Sequence, residues 1–240
     1  MPSLLALNVS NPPKDRAKGL LEWLWHQDED VLVLTEVGRS EGSHLLETVC
    51  RAAGHAAYRT SRTELGVLVV GRGVEVSPVD VPGPSVLPHR VLPFRLEELV
   101  VAGVYGTASD PVRYAKRDQR QRKRDWLAAF GMWLATHPPD VLIGDLNVVD
   151  PLHDDRLRYV LTEETAFYDA LTTEHGLVDA FRTEHPDDRS RTWVDHSGVG
   201  CRYDHAFVTP TIVERSSTEL DHTPRTVRLT DHSALRVSIR

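Results

Sequence analysis

The sequence has 240 residues, of which 40% are hydrophobic and 26% are charged, and its formal net charge is −7. A chain of this length can bury a large core, and because it contains no Pro/Gly/Ser-rich linker we expect a single domain over residues 1–240. The acidic balance does not favour nucleic-acid binding as a class, so such a function would depend on where the charges are placed.

The first third of the sequence alternates apolar runs with predicted helices. Residues 4–9 and 31–36 are short apolar runs, which are typical of buried strands. Between them, leucines and Trp25 recur at helical spacing over residues 15–27, which predicts a helix with one apolar face. A second helix is predicted from about residue 43 to residue 53.

The middle of the chain combines strands with a strongly basic segment. Residues 57–81 alternate short β runs with turns, and residues 99–105 predict another strand. Seven of the twelve residues from 113 to 124 are basic, and aromatic residues at helical spacing follow them and predict a buried helix face. The basic residues form either a solvated helix face or a local phosphate-binding surface. They include Arg113, Lys116, Arg117 and Arg120.

The segment 141–147, Val-Leu-Ile-Gly-Asp-Leu-Asn, is central to the functional interpretation. Its apolar start predicts a buried strand, and Gly144 allows the backbone to turn and to approach another group closely. Asp145 and Asn147 are two residues apart, so an extended backbone points their side chains the same way. Taken alone, the motif also fits an Asx turn that closes a strand.

The last third predicts two helices and two further strands. The helices cover residues 155–161 and 165–175, and Gly176 is a plausible stop for the second. One strand covers residues 201–208 and begins with alternating polar residues, and the last strand follows directly after Asp231 and His232. Clustered strands with interspersed helices predict an α/β fold with stacked sheets and helices on the outside.

Cysteine usage and hydropathy exclude several classes of protein. Cys50 and Cys201 are far apart and neither belongs to a CxxC motif, which argues against a disulfide framework and a zinc site and favours a reducing compartment. The first residues lack the pattern of a signal peptide, and no apolar run approaches the roughly 18 residues of a membrane span. We therefore expect a cytoplasmic protein that does not enter a membrane.

Polar side chains lie at or beside the ends of several predicted strands. They are Asn8, Glu36, Tyr105, Asp145, Asn147, Asp204, Asp231 and His232. Layered α/β folds gather such strand ends at one edge, where ligand clefts form. Carboxylates crowded there repel one another unless a hard cation lies among them, and oxygen ligands of this kind suit Mg²⁺ or Mn²⁺.

The order and spacing of six segments resemble the endonuclease/exonuclease/phosphatase superfamily, and the second half resembles its exonuclease III-type AP endonucleases. The segments are LTE at 34–36, IGDLN at 143–147, GLVDAFR at 176–182, RTW at 191–193, RYD at 202–204 and TDH at 230–232. The resemblance runs from residue 7 to the last strand. It implies a four-layer α/β sandwich, with two packed mixed β-sheets flanked by helices, and divalent-metal-dependent hydrolysis of phosphodiesters.

The same resemblance implies roles for the polar side chains at the strand ends. Glu36, with help from Asn8 and Asp231, would hold the Mg²⁺ or Mn²⁺ ion. The other roles concern the substrate and the attacking water, and they make chemical sense because a phosphodiester gathers negative charge in its transition state.

Four residues would act on the phosphate and on the water. Asp145 would activate or orient the water, and Asn147 beside it would contact the phosphate. Asp204 would accept a hydrogen bond from His232, which fixes the imidazole and favours its charged form against the scissile phosphate.

Tyr105 indicates one branch of the superfamily. Several phosphatase, sphingomyelinase and deoxyribonuclease branches place a histidine at the end of this strand, whereas exonuclease III-type enzymes place a tyrosine that contacts the phosphate or assists the leaving oxygen. Trp193 matches the aromatic residue in the pocket for a base-less sugar, although a core tryptophan fits the sequence equally well. The basic segment 113–124 would engage the DNA backbone, since arginine suits phosphates.

The sequence therefore predicts a monomeric Mg²⁺-dependent phosphodiester hydrolase that acts on double-stranded DNA, of the AP endonuclease/3′-exonuclease kind found in DNA repair. Two alternatives are open at this stage. One is a hydrolase of a small phosphorylated or phospholipid substrate on the same scaffold, which the acidic net charge favours. The other is a non-catalytic DNA-binding relative, which would not need both Asp145 and His232.

Overall fold

The computed structural model describes residues 2–109, 113–114, 117–153, 157 and 160–240, and of residues 113, 114 and 117 it describes the backbone. The strands are β1 (Ser3–Asn8), β2 (Val31–Val37), β3 (Ala56–Arg59), β4 (Gly66–Gly71), β5 (Val76–Pro78), β6 (Val91–Leu96), β7 (Leu99–Tyr105), β8 (Arg113–Tyr114), β9 (Arg117–Asp118), β10 (Val141–Asp145), β11 (Val178–Asp179), β12 (Trp193–Val194), β13 (Gly200–Cys201), β14 (Asp204–Val208), β15 (Ser216–Asp221) and β16 (Ala234–Ile239). The helices are α1 (Lys14–Trp25), α2 (Glu41–Ala52), α3 (Gln119–Thr136), α4 (Thr162–Thr173), α5 (Ala180–Glu184), α6 (Pro210–Val213) and α7 (Thr223–Thr226), with a 3₁₀ helix at Pro88–Arg90.

Two six-stranded mixed sheets lie at the centre. The first has the order β15-β16-β1-β2-β4-β3, and the second has the order β11-β14-β10-β7-β6-β5. Strands β1 and β2 are parallel, as are β7 and β10, and the other described pairs in both sheets are antiparallel. Each parallel pair brings two carboxyl-terminal strand ends together, which prepares one edge of each sheet for a site.

The inner strands are apolar on both faces because both faces of each sheet are covered. Successive side chains of a strand point to opposite faces, so β1 and β2 supply two layers of the core. From these two strands, the side chains that enter the core between the two sheets are Leu4, Ala6, Val31 and Val33. The side chains of the same strands that pack toward α1 and α2 are Leu5, Leu7, Leu32 and Leu34.

Helices α3 and α4 cover the outer face of the second sheet. The predicted aromatic face of α3 is confirmed: Trp126, Phe130 and Trp133 are buried against the sheet, and the rings of Trp126 and Phe130 stack with centroids 4.9 Å apart. The layers are thus α1 and α2, the first sheet, the second sheet, and α3 with α4. The predicted four-layer α/β sandwich is confirmed.

The predicted elements differ from the observed ones mostly at their ends. The predicted helix 155–161 lies largely outside the described residues, and Leu161 is the extended N-cap of α4. Helix α4 starts before the predicted residue 165 because Glu164 caps it: the Glu164 carboxylate accepts a hydrogen bond from the Leu161 backbone N–H at 3.1 Å. Gly176 follows α4 with φ of 66°, as expected for a helix stop. Among the described residues, no helix combines the length and the apolar character needed to cross a lipid bilayer.

Candidate active site

The register of the second sheet places three of the predicted polar residues side by side. Asp145 at the end of β10 pairs with Tyr105 at the end of the parallel strand β7 and with Asp204 at the start of the antiparallel strand β14. In the first sheet, Asn8 at the end of β1 pairs with Thr35 of β2. The two sheets therefore present these polar ends at one edge of the sandwich.

A cleft of about 600 Å³ lies at this edge. Of the eight polar residues predicted at strand ends, seven line it: Asn8, Glu36, Tyr105, Asp145, Asn147, Asp231 and His232. The eighth, Asp204, is fully buried beneath them. The sequence-predicted residues therefore meet at one site, although they are spread over more than 220 positions of the chain.

His232 and Asp204 form a buried hydrogen-bonded pair. The Nδ1 atom of His232 lies 2.8 Å from Oδ2 of Asp204, and both side chains are almost completely buried. Burial alone would lower the pKa of His232, but the adjacent carboxylate of Asp204, followed by those of Asp145 and Asp231, raises it to about 10. The imidazole is therefore positively charged at neutral pH. A charged imidazole at the base of a cleft suits an anionic substrate.

Asp145 is held by three hydrogen-bond donors. Its Oδ2 atom accepts from Nδ2 of Asn8 at 2.7 Å and from Nδ2 of Asn147 at 2.9 Å, and its Oδ1 atom accepts from the Asn147 backbone N–H at 2.8 Å. Burial and the neighbouring charge of Asp204 raise the pKa of Asp145 to about 7, against the lowering effect of His232. A carboxylate with such a pKa can take up and release a proton near neutral pH.

The backbone around Asp145 explains the Gly-Asp-x-Asn spacing. Gly144 has φ of 138°, and a Cβ atom there would lie 2.2 Å from the carbonyl oxygen of Val104 in the neighbouring strand. Asn147 has φ of 51°, a left-handed conformation that asparagine tolerates better than most residues. This turn brings both the N–H and the side-chain amide of Asn147 onto the Asp145 carboxylate.

Glu36 lies at an irregularity in β2. The pairing of β2 with β4 shifts between Thr35 and Val37, and Glu36 has φ of 55°. A bulge of this kind re-aims a side chain, and here it turns Glu36 into the cleft. Burial raises the pKa of Glu36, although His232 and a hydrogen bond from Asn8 lower it.

Asp231 is fixed by neighbouring side chains. It accepts hydrogen bonds from the hydroxyl of Ser10, from Nε1 of Trp193 at 3.0 Å and from the hydroxyl of Thr230 at 3.4 Å. Burial would raise the pKa of Asp231, but the positive charge of His232 and the hydrogen bond from Ser10 lower it. Asp231 is therefore ionised at neutral pH and faces the same cleft as Glu36.

Comparisons with known proteins identify the family of the chain and similar folds. A sequence model described as the Endonuclease/Exonuclease/phosphatase family matches residues 5–232. The chain belongs to this family. No protein in the curated set matches the chain.

Several solved structures share the family fold of the chain. A variant of the 3′ phosphatase NExo from Neisseria, bound to a product DNA hairpin, has a TM-score of 0.83 and 21% identity over 100% of both chains. An AP endonuclease from Archaeoglobus fulgidus has a TM-score of 0.81 and 22% identity, over 100% of this chain and 99% of that one. The 3′-5′ exonuclease NExo from Neisseria meningitidis has a TM-score of 0.82 and 21% identity over 99% of both chains. At these identities, the likeness shows a common fold.

The sequence did not reveal Arg90, a further residue that lines the cleft. Its guanidinium lies 4.3 Å above the ring of Tyr105 and donates to the backbone carbonyls of Tyr105, at 3.3 Å, and of Gly106. Burial raises the pKa of the Tyr105 hydroxyl, which stays a hydrogen-bond donor at neutral pH. The position of Arg90 could have been inferred from a hairpin of strands β6 and β7, because that hairpin places the residue before β6 beside the end of β7.

The residues predicted to bind substrate have different positions. Trp193 is partly exposed, lines the cleft and lies with its ring centroid 5.6 Å from that of Tyr203, so it is not a core tryptophan. Arg120 is partly buried at the start of α3 and is not among the residues that line the cleft. Lys116 lies outside the described residues. Only the backbones of Arg113 and Arg117 are described, in the β8–β9 ladder.

Proposed function

We propose that the chain is a divalent-metal-dependent phosphodiesterase that cleaves double-stranded DNA, an AP endonuclease/3′-exonuclease-type repair nuclease. The observation that carries the proposal is the juxtaposition of a charged imidazole, His232, and a carboxylate of near-neutral pKa, Asp145, in one cleft. A family relative bound to a product DNA hairpin, and another that is an AP endonuclease, support DNA as the substrate. A DNA role for the basic segment 113–124 remains part of the proposal.

The residues of the cleft fit a hard divalent cation. Glu36 and Asp231 offer carboxylate oxygens and Asn8 offers an amide oxygen, which are the ligand types that Mg²⁺ and Mn²⁺ prefer. Burial raises the pKa of Glu36, and a cation beside it would offset that penalty. We assign the ion to these three residues. When bound, it would stabilise negative charge on the phosphoryl oxygens.

A different group of atoms lies close enough together for a metal site. Ligand atoms of Asp145, Asp204 and His232 lie within 4.8 Å of one another. Two of these residues, however, already bind each other through the 2.8 Å hydrogen bond between His232 and Asp204. That bond raises the pKa of the imidazole and keeps it protonated, whereas a metal ligand must be neutral. We therefore give this group a role on the phosphate and the water.

The protein groups divide the hydrolysis between them. Asp145, held by Asn8 and Asn147, takes a proton from the attacking water as the water oxygen bonds to phosphorus. The imidazolium of His232 donates to a phosphoryl oxygen, where negative charge develops. The hydroxyl of Tyr105 donates a hydrogen bond to the phosphate or to the oxygen that leaves as the P–O bond breaks.

Substrate class and metal dependence are tested in one assay. We expect cleavage of a labelled duplex with an abasic site, or of its 3′ end, in the presence of Mg²⁺ or Mn²⁺, and no cleavage in EDTA. Intact duplex, a 3′-phosphorylated duplex and a generic phosphomonoester are incubated in parallel. Turnover of the small monoester alone would replace DNA by a small phosphorylated substrate, and undiminished cleavage in EDTA would refute the metal assignment.

The metal assignment has its own pair of variants. Glu36→Gln removes one carboxylate from the proposed ligand set, so we expect the Mg²⁺ concentration that gives half-maximal activity to rise about tenfold or more. Glu41→Gln, on the exposed first turn of α2, is the matched control and should leave that concentration unchanged. Equal Mg²⁺ dependence of the two variants would contradict the assignment of Glu36.

The pH dependence of kcat/KM follows from the two perturbed groups. Asp145 must be ionised to accept a proton, so activity should rise with pH through about 7, and His232 must be protonated, so activity should fall as pH rises through about 10. Asp204 raises the pKa of both groups, so Asp204→Asn should move both limbs of the profile to lower pH. A profile that keeps both limbs in place in this variant would contradict the assignment.

A further inference from the structure

Lys123 is the exception in the basic segment because its side chain points into the protein. It is 1% exposed, whereas the neighbouring Arg122 and Arg124 on α3 are partly exposed. The Nζ atom of Lys123 lies 2.8 Å from Oε1 of Glu164 on α4, which is also 1% exposed. Such a pair loses the hydration of two charges, and apolar residues of similar volume often stabilise a fold as well or better. Stability alone therefore does not account for a charged pair at this position.

The second partner of Lys123 lies in the candidate active site. Its Nζ atom also donates a hydrogen bond to the backbone carbonyl oxygen of Asn147. Glu164 in turn accepts from the backbone N–H of Leu161, at 3.1 Å, and from the hydroxyl of Ser109, at 3.5 Å. The ion pair thus connects α3, the start of α4 and the loop after β7 to the turn after β10.

The carbonyl contact acts on a residue with a left-handed backbone conformation. Asn147 has φ of 51°, and a left-handed conformation of a non-glycine residue persists where surrounding contacts hold it. In this conformation its N–H and its Nδ2 atom reach Asp145 at 2.8 and 2.9 Å. A hydrogen bond to the carbonyl oxygen fixes the orientation of the peptide plane that follows Asn147. Lys123 therefore holds Asn147 by its carbonyl oxygen, while Asn147 holds Asp145 by its N–H and its side-chain amide.

We propose that Lys123 is a positioning residue of the active site: its ammonium group anchors the Asn147 carbonyl, and Asn147 thereby orients the Asp145 carboxylate toward the attacking water. The inference rests on the proposed phosphodiesterase function. It assigns no substrate contact to Lys123, which lies beneath the turn, and it separates Lys123 from the DNA-binding role considered for the rest of the segment 113–124.

The test uses a double variant that removes both charges. Lys123→Met alone leaves Glu164 buried without its charged partner and is expected to destabilise the fold, so Lys123→Met/Glu164→Gln, which keeps an oxygen for the Leu161 N–H, is the informative protein. We expect its melting temperature to exceed that of Lys123→Met, because no unpaired charge stays buried. Its kcat on the cleaved duplex should fall by about 10- to 100-fold with KM changed less than about twofold, because small misplacements of a catalytic group carry costs of this order.

A matched control keeps the anchor. Glu164→Gln retains an oxygen for Lys123 and for the Leu161 N–H, so the contact between Lys123 and Asn147 persists and kcat should stay within about threefold of the wild type. The double variant and this control both lose the Glu164 charge. A difference in kcat between them therefore reports the Lys123 contact. Equal kcat in the stable double variant and the wild type would overturn the proposal.

A spectroscopic readout makes the inference independent of turnover. In ¹⁵N–¹H spectra, the backbone and side-chain amide signals of Asn147 report its two hydrogen bonds to Asp145. We expect both signals to shift in the double variant and to stay close to wild type in Glu164→Gln. If the wild-type protein cleaves no phosphodiester, the proposed function fails, and the spectra alone decide: unshifted Asn147 signals in the double variant would overturn the anchor, and shifted ones would support it.

Discussion

Asp145→Asn is expected to lower kcat for cleavage of the DNA substrate by about 10²- to 10⁴-fold, the range typical of a lost general base. An amide cannot take the proton of the attacking water. It also presents an NH₂ group where the wild type has an oxygen, and each carboxylate oxygen of Asp145 faces a hydrogen-bond donor. Single-turnover cleavage at saturating metal, with DNA affinity measured separately, isolates the loss to the chemical step.

The Asp145 variant needs a control for fold and for charge. Asp169→Asn changes one exposed carboxylate on α4 to an amide and should leave cleavage unchanged. Circular dichroism and a thermal melt should show a folded Asp145→Asn protein, because the change removes a buried negative charge, which offsets the loss of one or two hydrogen bonds. Retained cleavage in a folded Asp145→Asn protein would refute Asp145 as the base.

The two interpretations of the Gly-Asp-x-Asn motif are both present in the structure. The hydrogen bond from the Asn147 N–H to Oδ1 of Asp145 joins residues two apart, as in the Asx turn that the sequence alone suggested. The same turn places Asp145 beside Tyr105 and Asp204 in the sheet register. The motif alone therefore does not indicate a function. The function is indicated by the polar residues at the ends of neighbouring strands, and the sequence pattern predicted those strand ends.

The positions of other site residues depend on contacts between strands, which the hydrophobic pattern of a single strand cannot predict. The bulge that turns Glu36 into the cleft arises from pairing with β4, and Arg90 reaches Tyr105 across a hairpin. The burial of Lys123, in contrast, could have been predicted from the sequence. Trp126, Leu127 and Phe130 follow it at i+3, i+4 and i+7 and are buried. Helical periodicity already places Lys123 on the apolar face. The sequence prediction grouped Lys123 with the exposed basic residues of the segment 113–124 and therefore missed its burial.

His232→Ala is expected to lower kcat by about 10²- to 10³-fold, the range for loss of one charge-stabilising donor. Asp204→Asn should cost less, because the imidazole remains but loses the carboxylate that holds it and raises its pKa. The double variant should be no slower than His232→Ala alone, because Asp204 acts on the phosphate only through His232. The pH profile of each variant is measured and rates are compared at its maximum, because loss of His232 raises the pKa of Asp145, and loss of the Asp204 charge lowers the pKa of both Asp145 and His232.

Melting temperatures distinguish the loss of the His232 imidazolium from a general destabilisation of the active site. His232→Ala leaves the Asp204 carboxylate fully buried without its charged partner, so this variant should melt well below the wild type. Adding Asp204→Asn removes the stranded charge and should recover part of that loss while kcat stays at the His232→Ala level. If the fold-losses in kcat of the two single variants multiply in the double variant, Asp204 acts on the reaction independently of His232. A double variant that regains both stability and turnover would remove the imidazolium from the mechanism, since buried charge would then have been the only defect.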